Sequence, residues 1–184
     1  MRELVERSAA GDHEAFGRLA SAVTDRLLVL ARLVLRDADA AEDAVQDALV
    51  RAWRELPRLR DPDRFDAWIR RLVVNACYDE GRRRARRPTV RFLAVTETMV
   101  VGDGYRSLED RDRLGRAFDR LPVEQRAVLV LAHYIGLSES EIAGTLELPL
   151  GTVKSRLRYG TRAMRAAIEA DERPAFAEPQ ERMS

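Results

Sequence analysis

The 184-residue chain has one cysteine, two histidines, a single lysine among 32 cationic residues, and only 6% aromatic residues. Each scarcity excludes something. Cys77 alone can form neither an intramolecular disulfide nor a multi-cysteine zinc site. It is expected as a small buried thiol. His13 and His133 lie far apart, without the HxxxH or HExxH spacing of a catalytic zinc centre. Both are expected at helix ends on the surface. GxxxxGK[ST], GxGxxG and GxSxG are absent, which removes the phosphate-cradling loops and the nucleophile elbow. Neither an enzyme nor a bound metal or cofactor is expected. No apolar run approaches the roughly 18 residues that cross a bilayer, and Met1-Arg2-Glu3 opens no signal peptide. A soluble cytoplasmic protein is therefore expected. Few aromatics and few β-branched runs argue against a large sheet.

What is present is charge, 34% of residues, and its distribution matters more than the net of +1. Residues 1–57 carry net −3, 58–91 carry +6, 92–148 carry −4 and 149–173 carry +3. Two basic segments alternate with two acidic ones. That pattern implies two separate anionic contacts and acidic faces reserved for another partner.

The apolar periodicity is helical throughout. Asp12 begins a run through Phe16, Leu19, Val23, Leu27 and Val34. Residues 36–40 interrupt it, and Asp39 with Glu42 resembles the cap of a second helix through Ala44, Val45, Ala48, Ala52 and Leu56. The opposite face of that helix carries Glu42, Asp43, Gln46, Asp47, Arg51 and Arg54. Pro57 to Pro62 reads as a loop, and Asp63 as the cap of a third helix through Phe65, Trp68, Ile69, Leu72 and Ala76 into the arginines at 82–87. Residues 88–106 read as a linker with some strand character between Val90 and Val101. Ser107 with Asp110 starts another helix, Leu121-Pro122 breaks it, and Gly136 ends the next. The expected architecture is all-α: a domain at 1–87, a linker at 88–106, a second domain at 107–170 and a frayed tail at 171–184.

The most informative segment is 137–158. Ser138 and Glu141 form a capping box, and Ile142, Ala143 and Leu146 make a short apolar stripe. Pro149 and Gly151 punctuate. Thr152 is expected to cap a second helix with Val153 and Leu157 inward and Lys154, Ser155, Arg156 and Arg158 outward. This is the pattern of a helix-turn-helix, which presents a cationic helix to the DNA major groove.

Three further motifs accompany it: Ala41–Trp53 (AEDAVQ…), Phe65–Asp79 (FDAW…N…D) before the arginine run, and Leu121–Arg126. In this order, over roughly residues 10–168, they resemble bacterial RNA polymerase sigma factors of the extracytoplasmic-function (ECF) type in the sigma-70 family. The resemblance implies a non-catalytic initiation factor that carries core polymerase to −35 and −10 promoter elements and assists local melting. By motif position Asp43, Gln46 and Asp47, with Arg51 at the edge, would dock on the clamp helices of the polymerase β′ subunit. Arg60, Asp63, Arg64, Phe65, Arg71, Asn75, Arg82 and Arg83 would serve the −10 element, with Asn75 able to read a base edge. Arg70 and Arg84 join the phosphate-contacting arginines, and Trp68, on the apolar stripe, is read as a core residue in preference to a ring stacked on DNA. Thr152, Lys154, Ser155, Arg156 and Arg158 would serve the −35 element. An anti-sigma factor is the further partner implied.

The chain departs from that pattern where Glu147 replaces a usual turn glycine, and where Tyr159, Gly160 and Thr161 replace a cationic continuation. Gly160 is expected to weaken its helix by about 1 kcal/mol relative to alanine. Two other readings are weighed: a helix-turn-helix regulator acting without polymerase, and a helical interaction adaptor. Neither uses the acidic Ala41–Trp53 face together with the Phe65–Asp79 segment.

Overall fold

In a computed structural model, residues 1–86 and 108–172 are described. They form eight α-helices and no strand: α1 (Arg2–Ala9), α2 (His13–Leu35), α3 (Ala38–Glu55), α4 (Phe65–Arg86), α5 (Leu108–Asp119), α6 (Val123–His133), α7 (Glu139–Leu146) and α8 (Leu150–Glu172). The linker expected at 88–106, its strand character and Ser107 lie outside the described residues, as do positions 173–184 of the expected tail.

The first four helices make a bundle centred on α2. Leu19, Val23, Leu27, Leu30 and Val34 are buried at helical spacing along it. α3 offers this core a row of small side chains, Ala40, Ala41, Ala44, Ala48 and Ala52, all buried. Small residues let α3 lie close to α2 and α4. The acidic side chains are thereby turned outward. α4 closes the bundle with Phe65, Ile69, Leu72, Val73, Val74, Ala76 and Cys77.

Helix α1 is an addition to the expected pattern. It is only two turns long and buries Val5 and Ser8. Gly11, at φ 93°, makes the turn that lays α1 against α2. Arg7 then reaches the α2 cap, its Nη2 donating to Asp12 Oδ2 at 2.7 Å.

Several termini differ from expectation, each for a local reason. α3 is capped by Asp37, not Asp39: Asp37 Oδ1 accepts from Ala40 N at 2.9 Å. Arg36, in the left-handed region at φ 58°, redirects the chain two residues earlier than the Asp39 reading requires. The 57–62 loop contains two short 3₁₀ turns, 56–58 and 62–64, and Asp61 rather than Asp63 accepts the capping bond, from Asp63 N. α8 starts at Leu150, so Thr152 lies in its first turn with its N–H donating to Pro149 O at 2.9 Å. Gly151 is helical. The Ser138–Glu141 capping box forms as expected, with both reciprocal bonds.

In the second group α6 is the hub. Ala127, Val128, Leu129, Val130 and Leu131 are five consecutive buried residues. One side is packed by α8 and α7, whose Val153, Ile142 and Leu146 belong to the same buried cluster, as does Phe118 of α5. The other faces α2 and α4. The two helix groups thus share one apolar core. Gly160 acquires a packing reason here. A Cβ built on it would stand 3.0 Å from Leu129 Cδ1 and 3.4 Å from Gln125 Cβ. Helix propensity is given up so that α8 can approach α6. Gly160→Leu is therefore expected to destabilise the chain by about 2 kcal/mol through overpacking, despite leucine's better propensity. Chemical denaturation checks this, and a stabilised variant contradicts the packing reason.

Candidate nucleic-acid interface

Three exposed surfaces carry the candidate residues. The first is the outward face of α3. Glu42, Asp43, Gln46, Asp47 and Val50 are exposed, while Ala41, Ala44, Val45 and Ala48 between them are buried. The face is acidic at its centre, with one exposed apolar residue, Val50, that the charge pattern alone did not single out. At its far end Trp53 carries a small aromatic cluster, with the His13 ring 4.5 Å and the Phe16 ring 4.9 Å from it.

The second surface runs along α4. Asn75 is exposed on a turn whose neighbours Leu72, Val73, Val74, Ala76 and Cys77 are buried, so its amide stands out from an otherwise apolar stretch. Arg60, Asp63 and Arg64 are exposed on the loop before α4. Phe65 is not with them. It is 3% exposed, in the core. The partly exposed ring of this segment is Trp68, 6.0 Å from Phe65, which still packs against the core as expected. Asp63 is drawn to α1, where Arg2 Nη1 donates to it at 2.7 Å.

Ion pairs stitch α3 to α4. Asp79 accepts from Arg51 Nη2 at 3.0 Å and from Arg82 Nη2 at 2.6 Å. Burial alone pushes the Asp79 carboxyl upward, but these two guanidinium bonds prevail and hold it below the ordinary carboxylate range. Arg83 lies 3.4 Å from Asp47. Arg84 bridges Asp37 at 2.7 Å and Glu80 at 3.1 Å. The Arg84 bond holds Asp37 below the ordinary carboxylate range. Acidic and basic candidates are thus paired with one another in two adjoining ion-pair networks.

The third surface is the start of α8. Lys154 and Arg158 are exposed, Thr152, Ser155 and Arg156 are partly buried, and Ser155 Oγ donates back to Thr152 O at 2.9 Å. Lys154 Nζ lies 3.9 Å from Glu139. An open groove of about 740 Å³ runs beside these residues, floored by Ala132, Leu137 and Leu157 and walled by Arg158, Arg162 and Arg165. Tyr159 is exposed, with the Arg158 guanidinium 5.1 Å from its ring centroid. Glu147 ends α7 in the left-handed region, φ 53° and ψ 42°. For a residue with a Cβ that conformation costs about 1 kcal/mol.

Comparison with known proteins decides the family. Residues 19–87 match the sigma-70 region 2 family and residues 111–164 the sigma-70 region 4 family. The ECF RNA polymerase sigma factor SigM of Mycobacterium tuberculosis is 38% identical over 84% of this chain and 77% of its own length. SigW of Bacillus subtilis is 28% identical over 91% of this chain and 96% of its own. The structure of CnrH in complex with the cytosolic domain of CnrY superposes with a TM-score of 0.64, at 29% identity, covering 93% of this chain and 98% of that one. The chain belongs to the ECF sigma factors of the sigma-70 family. It is a promoter-specific transcription initiation factor whose partners are core RNA polymerase and promoter DNA. Among the described residues no helix is long and apolar enough to cross a membrane.

Within this sigma factor, the N-terminus of α3 is where the electrostatics are most testable. The folded Asp37 carboxyl titrates below its ordinary value of 3.8. Its stabilising contribution is complete above that value and is lost as pH falls through the lower, folded value. Asp37→Ala is expected to cost about 1 kcal/mol at pH 7, the usual worth of an N-cap. The variant should then lose less stability than the parent between pH 5 and pH 3. Thermal melts by circular dichroism check both; parallel pH profiles contradict the assignment.

Proposed function

We propose that the three surfaces divide the work of initiation. The face of α3, centred on Asp43, Gln46 and Asp47 with Arg51 at its edge, docks on the clamp helices of the polymerase β′ subunit. The observation that carries this is the exposed 43-46-47 stripe over a buried alanine row, a rigid helix edge whose charged groups all point one way. An acidic edge of this kind complements a basic partner and steers encounter more than it adds raw affinity.

The α4 surface takes the −10 element. Arg60 and Arg64 before the helix, and Arg71, Arg82 and Arg83 on it, supply phosphate contacts, which make binding salt-sensitive without reading sequence. Asn75 reads a base edge, since its amide offers donor and acceptor together. Extruding a base costs a few kcal/mol, which stacking and edge contacts must offset. Trp68 is the ring placed to supply stacking; the buried Phe65 positions it, and Asp63 orders the loop through Arg2. The start of α8 takes the −35 element through Thr152, Lys154, Ser155, Arg156 and Arg158.

Residues 1–87 and 107–170 act as the two promoter-binding domains. The protein does no covalent chemistry and works in the cytoplasm. An anti-sigma factor regulates it; the similar CnrH, solved in complex with the cytosolic domain of a second protein, CnrY, supports a protein partner of this kind for the chain.

Two experiments test this division. Asp47→Arg should reduce retention of the chain by core polymerase at least tenfold in a pull-down while its helical content stays unchanged; full retention removes Asp47 from the docking face. Lys154→Ala should weaken −35 binding evenly across sequences and flatten the salt dependence of log Kd by about one unit. A loss confined to certain base pairs means instead that Lys154 reads bases.

A further inference from the structure

Among the chain's 32 cationic residues Lys154 is the single lysine, so it carries the only side-chain amine. A guanidinium stays protonated and is not an acylation target, whereas an ε-amine is. Any acylation of a side-chain amine in this protein therefore falls on the start of α8. The group is within reach of a reagent. The Lys154 side chain is 58% exposed, and its Glu139 partner lies 3.9 Å from Nζ and is itself 48% exposed. An ion pair that long and that open to water holds the amine loosely.

Lys154 also opens onto a groove built unlike ordinary surface. The wall is Arg158, Arg162 and Arg165, which follow Lys154 along α8 at one, two and three turns. These three arginines span about 10 Å of helix. Like charges at such spacing repel, and among the described residues none of the three is paired with a carboxylate. The floor is apolar, from Ala132, Leu137 and Leu157, and the volume of about 740 Å³ is that of a cofactor cleft. A row of phosphate-binding groups, an apolar floor and a nucleophile at the near end thus share one groove.

We propose that Lys154 is an acylation site served by this groove, with an acyl-coenzyme A thioester as the donor. The phosphates of the carrier lie on Arg158, Arg162 and Arg165, and its arm crosses the apolar floor toward Nζ. In the reaction the neutral amine adds to the thioester carbonyl. The N–C bond forms and the C–S bond breaks. The sulfur leaves as the thiolate and becomes the coenzyme thiol by taking up the proton that nitrogen loses, which Glu139 is placed to carry. Nothing is oxidised or reduced. An amide replaces a cation, and one phosphate contact to DNA goes with the charge. The two uses exclude each other, because an amine held on a DNA phosphate is closed to the thioester. Promoter affinity is thereby tied to the supply of activated acyl groups. That consequence rests on the −35 assignment of Lys154 given above; the acylation itself does not.

The test uses the purified full-length chain. It is incubated with acetyl-coenzyme A or with S-acetyl-N-acetylcysteamine, the same thioester without the phosphates, and the products are mapped by mass spectrometry. Lys154 should be acetylated about tenfold faster by acetyl-coenzyme A at equal concentration, the gain expected when binding holds the reacting groups together. Free Nα-acetyllysine amide should react with the two donors alike. Arg162→Gln with Arg165→Gln should remove the preference while circular dichroism shows the fold retained. Equal rates with the two donors, or a preference that survives in that double variant, overturn the site. The acetylated chain should bind a short mixed-sequence DNA duplex about threefold more weakly, with the salt dependence of log Kd flatter by about one unit. Acetylation at Lys154 with unchanged duplex binding overturns the tie to promoter affinity and locates the failure in the −35 assignment, since the mass readout does not depend on DNA.

Discussion

A helix with five consecutive buried residues has to be covered on more than one side, and α6 is that helix. Ala127 to Leu131 cannot all be sheltered by α5, α7 and α8, which leave one flank open. In this chain α2 and α4 supply the missing cover. Each fully buried leucine or valine there contributes about 1.5–3 kcal/mol relative to exposure. The exposed ion pairs around the seam contribute much less, typically under 1 kcal/mol each. Apolar burial therefore brings the two groups together, and the polar pairs decide how they are turned. Arg36–Asp119 and Arg71–Glu147 fix that orientation, and Val123 against Gly81 sets its closeness.

The same division of labour holds inside the first domain. The alanine row of α3 sets its depth in the bundle. Once α3 is seated, the acidic residues have nowhere to go but outward. The network Arg51–Asp79–Arg82, with Arg83 beside Asp47, then places the groups proposed to face polymerase and those proposed to face DNA within a few ångströms of each other. Whatever neutralises Asp47 changes the surroundings of Arg83. On the proposed division of the surface, docking and DNA contact are thus electrostatic neighbours on one small domain.

Much of this was legible in the residues themselves. Helical periodicity gave the long helices, and the Ser138–Glu141 capping box was readable because both of its bonds are local. The polar face of α3 from Glu42 to Arg54 followed from spacing; singling out Asp43, Gln46 and Asp47 on it came from the family resemblance. The caps at 37 and 61 were misplaced by two residues, since Asp37, Asp39, Asp61 and Asp63 are chemically equal candidates and only backbone direction chooses among them. Helix α1 escaped notice because two turns with few apolar residues hardly differ from a polar terminus until α2 gives Val5 somewhere to be buried. Phe65 looked like an aromatic offered to DNA; its burial depends on how α4 meets α2, which no local pattern encodes. Gly160 read as a weakness and Glu147 as a departure. Each has a reason that lies in another helix: Leu129 in the first case and Arg71 in the second.

The most direct test is transcription itself. Core polymerase supplied with this chain and a library of randomised promoters should initiate from a subset. The transcribed templates, once sequenced, should share two short elements at fixed separation, the downstream one overlapping the melted region. Initiation that depends on one element only, or transcripts whose templates share no sequence, would contradict a two-point grip built from α4 and α8.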